Sequence, residues 1–221
     1  MTRMNKLLLH PVTKPLVFVL ALLPFAGLFH GALTDQLGPN PAEHLIRSTG
    51  EWALRFLCLT LAVTPLRVQF GWAALARLRR MLGLYVFFYA LLHFLCYAVF
   101  DMGVGLDEGA WGEIVRDIPK RPFILVGFVA LLLLLPLALT SFNRAIRALG
   151  APRWRMLHRL VYAVAALAVL HFYWMRAGKQ DFAEVAVYGA ILGLLLGWRA
   201  VHRWRGTRAQ GSGQARLTPR A

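Results

Sequence analysis

Apolar residues arrive along this chain in long unbroken blocks, without the spacing of an amphipathic helix or the alternation of a strand. Six blocks stand out: approximately Leu16 to Leu33, Trp52 to Phe70, Met81 to Phe100, Phe123 to Phe142, Met156 to Met175, and Phe182 to Val201. At about 1.5 Å per helical residue, some 20 residues cross a hydrocarbon core of about 30 Å. Lipid offers the backbone no hydrogen-bond partner, so each block must satisfy its own amides, and helices are predicted over strands. The expected fold is all-α: a polytopic membrane protein with six transmembrane helices. Residues 1–15 lead into it, 16–201 form the six-helix domain, and 202–221 read as a basic, disordered tail.

The polar positions between the blocks are sorted by sign. The N-terminus, the connections after the second and fourth blocks, and the C-terminus carry Arg3, Lys6, Lys14, Arg67, Arg77, Arg79, Arg80, Arg144, Arg147, Arg153 and Arg155 and a run of later arginines, without one acid. All ten acids fall to the other side, in the remaining three connections or, for Glu184, at the start of the sixth block. The positive-inside rule then puts the basic side in the cytoplasm and both termini inside, an N-in/C-in protein.

Composition agrees: 58% of the 221 residues are hydrophobic, and mean hydropathy is +0.55 despite a formal net charge of +15. Arginines beside anionic membrane lipid account for that charge, so nucleic acid is not expected as a partner. The opening residues resemble a signal peptide, but the run is long and contains Pro24 and His30, so it is read as the first span. Cys58 and Cys96 lie on different spans with no C-x-x-C spacing, which excludes a disulfide framework and a covalently attached c-type haem.

Histidine in hydrocarbon is costly and demands a partner. Four of the seven histidines fall near span ends or in connections; His93, His158 and His171 do not. The third and fifth spans run in the same direction, so depth can be counted from their inner ends. His93 lies about 12 residues beyond Met81 and His171 about 15 beyond Met156, both roughly 20 Å deep. Two imidazoles at one level on neighbouring helices suit the axial positions of a haem iron. Gly83, Ala90, Ala163 and Ala166 are small enough to admit a macrocycle that Tyr85, Phe87, Phe94, Tyr97 and Phe172 would line. His158 lies about 20 Å nearer the cytoplasm, level with Arg79 and Arg80, a position open to a one-histidine haem, a flavin or quinone headgroup, or nothing at all. On an ideal helix His158 and His171 point about 140° apart, so either that span is irregular or the rings address different grooves. Intramembrane histidines also serve transporters that carry protons or metal ions, and a stand-alone ferric or cupric reductase would use the same haem.

The segments TGEWALRFLCLTLAVTPLR, LRRMLGLYVFFYALLHFLCYAVFD and RWRMLHRLVYAVAALAVLHFYW resemble the MsrQ (YedZ) family, within the ferric-reductase-like transmembrane group. That resemblance implies a membrane electron-transfer subunit with b-type haem, and family members are also described as binding FMN. It implies electrons taken from the quinone pool or a cytoplasmic flavin reductase and passed to a periplasmic molybdopterin partner, MsrP, which repairs methionine sulfoxide. Carried onto this chain, the haem histidines are His93 and His171, with His158 third. Relatives in the wider group have two histidines on each of these helices, whereas here the third span offers Arg79 or Arg80 in place of one. The chain holds no flavin and nicotinamide module of its own. The loops Thr34 to Glu51 and Asp101 to Pro122, with Asp107, Glu108 and Glu113, are expected to dock the partner.

Overall fold

The computed structural model describes residues 2–105, 109–178 and 180–215, with side chains as far as Arg205. Asp107 and Glu108 lie outside the described residues. Among those described, the regular elements are helical: α1 (Arg3–Leu9), α2 (Thr13–Leu33), α3 (Pro41–Phe70), α4 (Arg79–Cys96), α5 (Ala110–Lys120), α6 (Pro122–Leu139), α7 (Asn143–Leu157), α8 (Leu160–Ala177) and α9 (Ala183–Ala215). A 3-10 turn over Ala73–Arg77 precedes α4, and a π turn over Tyr97–Asp101 extends it. The helices α2, α3, α4, α6, α8 and α9 are long and apolar enough to cross a membrane. Their outer surfaces carry Phe18, Leu23, Leu59, Leu132, Leu139 and Leu194, apolar side chains exposed as only a lipid-facing surface tolerates.

Two helix pairs build the bundle. α3 packs along α4, α6 packs along α8, α4 meets α6 between the pairs, and α9 lies against α3 and α8. The core at the α3–α4 seam is aromatic: Phe56 stacks on Tyr85 and Tyr89, each at 5.3 Å between ring centres, and Tyr89 is completely buried. Hydroxyls in such a core need partners. Tyr85 donates to the Phe18 carbonyl at 2.8 Å, while Tyr89 donates to the Ala21 carbonyl at 2.8 Å and accepts from the Phe25 amide at 3.1 Å. The Tyr89 hydroxyl thus bridges Ala21 and Phe25 of α2, residues that an uninterrupted helix pairs directly, beside the Pro24 that weakens the ladder.

Four features differ from expectation. α3 begins eleven residues before Trp52, because Asn40 caps it by accepting from the Glu43 amide at 3.1 Å and Pro41 sits at its first position. Thirty residues span about 45 Å, so its polar first turns stand clear of the hydrocarbon and most of the expected 34–51 loop is helix. The 101–122 connection holds α5, which buries Ala110, Ile114 and Ile118 at four-residue spacing, the two isoleucines against Tyr97 and Ala98, and leaves Trp111 and Val115 exposed. Asp117 fastens α5: its carboxylate accepts from Arg121 and, at 2.7 Å, from the Tyr97 hydroxyl. The Arg121 guanidinium holds that carboxyl below its usual range. Finally, α8 starts only at Leu160, and α9 continues to Ala215.

Candidate haem site and inner cavity

His93 and His171 meet. The rings come from α4 and α8, their centres are 6.0 Å apart, and the planes are 77° to one another. His93 Nδ1 lies 2.7 Å from the Ile46 carbonyl and His171 Nδ1 lies 2.6 Å from the Phe123 carbonyl. A carbonyl only accepts, so each Nδ1 carries the proton and each Nε2 keeps its lone pair for a metal. An imidazole nitrogen sits about 2 Å from a bound first-row metal and about 1.1 Å from its own ring centre, so two rings sharing one metal have centres about 6 Å apart. The observed separation fits haem iron between them. Among the described residues no three His, Cys, Asp or Glu side chains converge, so the pair stands without the further ligands that a bare ion would take.

The close fit of both rings depends on two glycines. A Cβ at Gly50 would lie 3.1 Å from His93 Nδ1 and Cε1, and one at Gly127 would lie 2.8 Å from the same atoms of His171. Gly50 follows Thr49, whose buried hydroxyl donates to the Leu45 carbonyl at 2.7 Å and to the Ile46 carbonyl at 3.0 Å. Sequence reasoning gave neither glycine a role. The Thr49–Gly50 pair lay within a family-like segment, but a glycine inside an apolar span gives no sign of what it approaches.

His158, Arg79 and Arg80 are gathered elsewhere. His158 is no part of α8: it caps the C-terminal end of α7, which explains the phase mismatch with His171. Its ring stacks on Trp154 at 3.9 Å, and its Nδ1 lies 3.0 Å from the Trp154 carbonyl. All three residues line a cavity of about 370 Å³, together with Arg155, Arg159, Arg199 and Arg203 and with no acid. That volume is in the range of small-ligand pockets, about 300–1,000 Å³. Two buried polar atoms on its wall, His158 Nε2 and Thr60 Oγ1, have no hydrogen-bond partner. Unpaired donors and acceptors of this kind point to a polar ligand, and the surrounding guanidinium groups select an anion. Arg80 donates to Asn143 at 2.6 Å, and Arg199 is held by the Leu61 and Leu195 carbonyls. Of the residues expected around a macrocycle, Gly83, expected to make room for it, lies on this inner cavity, and the expected lining residues Tyr85 and Tyr97 are engaged with α2 and α5.

Six spans with paired imidazoles between two helix pairs define a class of membrane protein built to hold a redox centre. The chain belongs to the ferric-reductase-like transmembrane family: the family described as "Ferric reductase like transmembrane component" matches residues 49–169, from Thr49 through His93 and His158 to just short of His171. Within it the chain sits among the MsrQ members. It is 59% identical to the protein-methionine-sulfoxide reductase heme-binding subunit MsrQ of Polaromonas naphthalenivorans, over 96% of this chain and 94% of that protein. Its identity is 53% to the protein of that name from Ralstonia nicotianae, over 87% and 86% of the two chains, and 46% to that of Xanthomonas oryzae pv. oryzae, over 95% and 96%. No solved structure matches the chain.

Proposed function

We propose that this protein is the haem-carrying electron-transfer subunit of a methionine sulfoxide reductase system, with His93 and His171 as the axial ligands of a b-type haem. The 6.0 Å separation of two rings whose ligating nitrogens are both left free carries this reading. Relatives named as haem-binding subunits, matched over nearly their whole length, support it. The bound group supplies reversible one-electron chemistry. The chain fixes both imidazole tautomers, excludes water with its aromatic core and sets a low-dielectric surrounding. It has no catalytic residue of its own in this scheme.

The basic side faces the cytoplasm of a bacterial inner membrane, and the histidine pair lies towards the acidic, periplasmic side. The inner cavity takes an anionic redox cofactor, FMN or a second haem, held by Arg79, Arg80 and His158, and receives electrons from quinol or a cytoplasmic flavin reductase. The consumer is a periplasmic molybdopterin-containing reductase of the MsrP type. It docks on the acidic side, on the polar first turns of α3 and on α5 with Glu113, surfaces that the structure makes helical.

A pyridine haemochrome assay with protein quantification tests the core of this. The wild type should carry b-type haem with low-spin absorption bands, and both His93→Ala and His171→Ala should remove those bands. Retention of the bands in either variant would overturn the ligand assignment.

A further inference from the structure

We propose that Gly50 and Gly127 are positioning residues: each omits a Cβ so that a ligand imidazole can lie against its helix and donate Nδ1–H to the carbonyl one turn earlier. The inference rests on the haem reading above. The arrangement occurs twice, in unrelated stretches of sequence. On α3, Ile46 offers the carbonyl and Gly50, four residues on, the gap; on α6, Phe123 and Gly127 take the same roles at the same spacing. The donor comes from the partner helix of each pair, His93 on α4 for α3 and His171 on α8 for α6. Residues four apart lie on one helix face, so carbonyl and gap are stacked beneath a single ring.

Other glycines in the spans are not used in this way. A Cβ at Gly193 or Gly27 would meet nothing within 4 Å, and one at Gly83 or Gly189 would make ordinary contacts at 3.8 Å. Among the described glycines, only at Gly50 and Gly127 is the nearest neighbour a histidine ring at 3.1 Å or closer. At Gly127, 2.8 Å is closer than a carbon atom tolerates, so an added methyl must push His171 off its carbonyl. At Gly50, 3.1 Å requires a smaller shift. Orientation of a metal-ligating histidine by an acceptor on its other nitrogen is worth about 10–100-fold in metal affinity.

The test replaces Gly50, Gly127 and, as a control within a span, Gly193 with alanine in the full-length protein, purified in detergent. Haem per chain, the spin state by optical and electron paramagnetic resonance spectra, the midpoint potential and the melting temperature of the haem-free protein are read for each. Gly127→Ala should weaken haem binding about tenfold or more and convert the bound fraction towards high spin. Gly50→Ala should shift potential and spectrum the same way by less, and Gly193→Ala should match wild type. If Gly127→Ala fails to fold, Gly50→Ala decides with the same readouts. Wild-type spectra and potential in both glycine variants would overturn the proposal, as would a lowered melting temperature with an unchanged haem spectrum. Loss of the bands in His93→Ala and His171→Ala, measured alongside, separates that outcome from failure of the haem reading itself.

Discussion

Removing one oxygen atom, by Tyr89→Phe, tests how α2 is held to the bundle. The Tyr89 hydroxyl makes two hydrogen bonds to the α2 backbone and is completely buried, whereas the Tyr85 hydroxyl, 5% exposed as a residue, makes one. Hydrogen bonds within membrane bundles average about 0.6 kcal/mol and reach about 1.7, because the reference state in lipid also finds partners. Two bonds at that scale give about 1–2 kcal/mol for Tyr89→Phe, against about 0.6 for Tyr85→Phe. In a chain of this size each kcal/mol moves the melting temperature by about 2–4 °C. Thermal unfolding in detergent should therefore show a drop of several degrees for Tyr89→Phe and about half that or less for Tyr85→Phe. The haem spectrum should stay as in the wild type, since neither hydroxyl touches His93 or His171. A Tyr89→Phe variant that melts with the wild type, or a Tyr85→Phe variant that melts lower than Tyr89→Phe, would refute the bridging role and mean that α2 closes its own ladder once the hydroxyl is gone.

Two further outcomes follow from sites apart from the histidine pair. His158→Ala should leave the low-spin bands of the outer pair intact while abolishing the signal of the inner cofactor, flavin fluorescence or the second haem equivalent; Arg79→Ala and Arg80→Ala should weaken that inner binding without changing the outer spectrum. Asp117 is held below the ordinary carboxylate value of 3.8 chiefly by its bond from Arg121, so its stabilisation of α5 is present above that value and lost as pH falls through the depressed one. The protection of the α5 amides against hydrogen exchange, taken relative to the intrinsic rate at each pH, should fall in acid below about pH 4 in the wild type, and Asp117→Asn should show the low protection already at neutral pH.

The spans were legible because lipid imposes one rule on every residue of a block: apolar side chains and self-satisfied amides. The depth count that put His93 level with His171 relied only on helical rise, and the rings do meet. Less was legible where polar helices continue beyond the hydrocarbon. The signals existed: Asn40–Pro41 ahead of Glu43 is a helix start, and Ala110, Ile114 and Ile118 have helical spacing, yet their low overall apolarity read as loop. The position of His158 was misjudged because an apolar run does not reveal that the helix breaks before Leu160. Gly50 and Gly127 were beyond reach for a different reason. Their role depends on how closely a helix distant in sequence approaches, and no local pattern records that distance.

The two rings belong to different halves of the bundle, one anchored to α3 and the other to α6, and the halves touch each other mainly where α4 meets α6. A prosthetic group gripped from both sides would act as a crosslink between them. Loading would then tighten the whole fold by mass action, and a starved cell would hold a looser chain that proteases distinguish from the finished one.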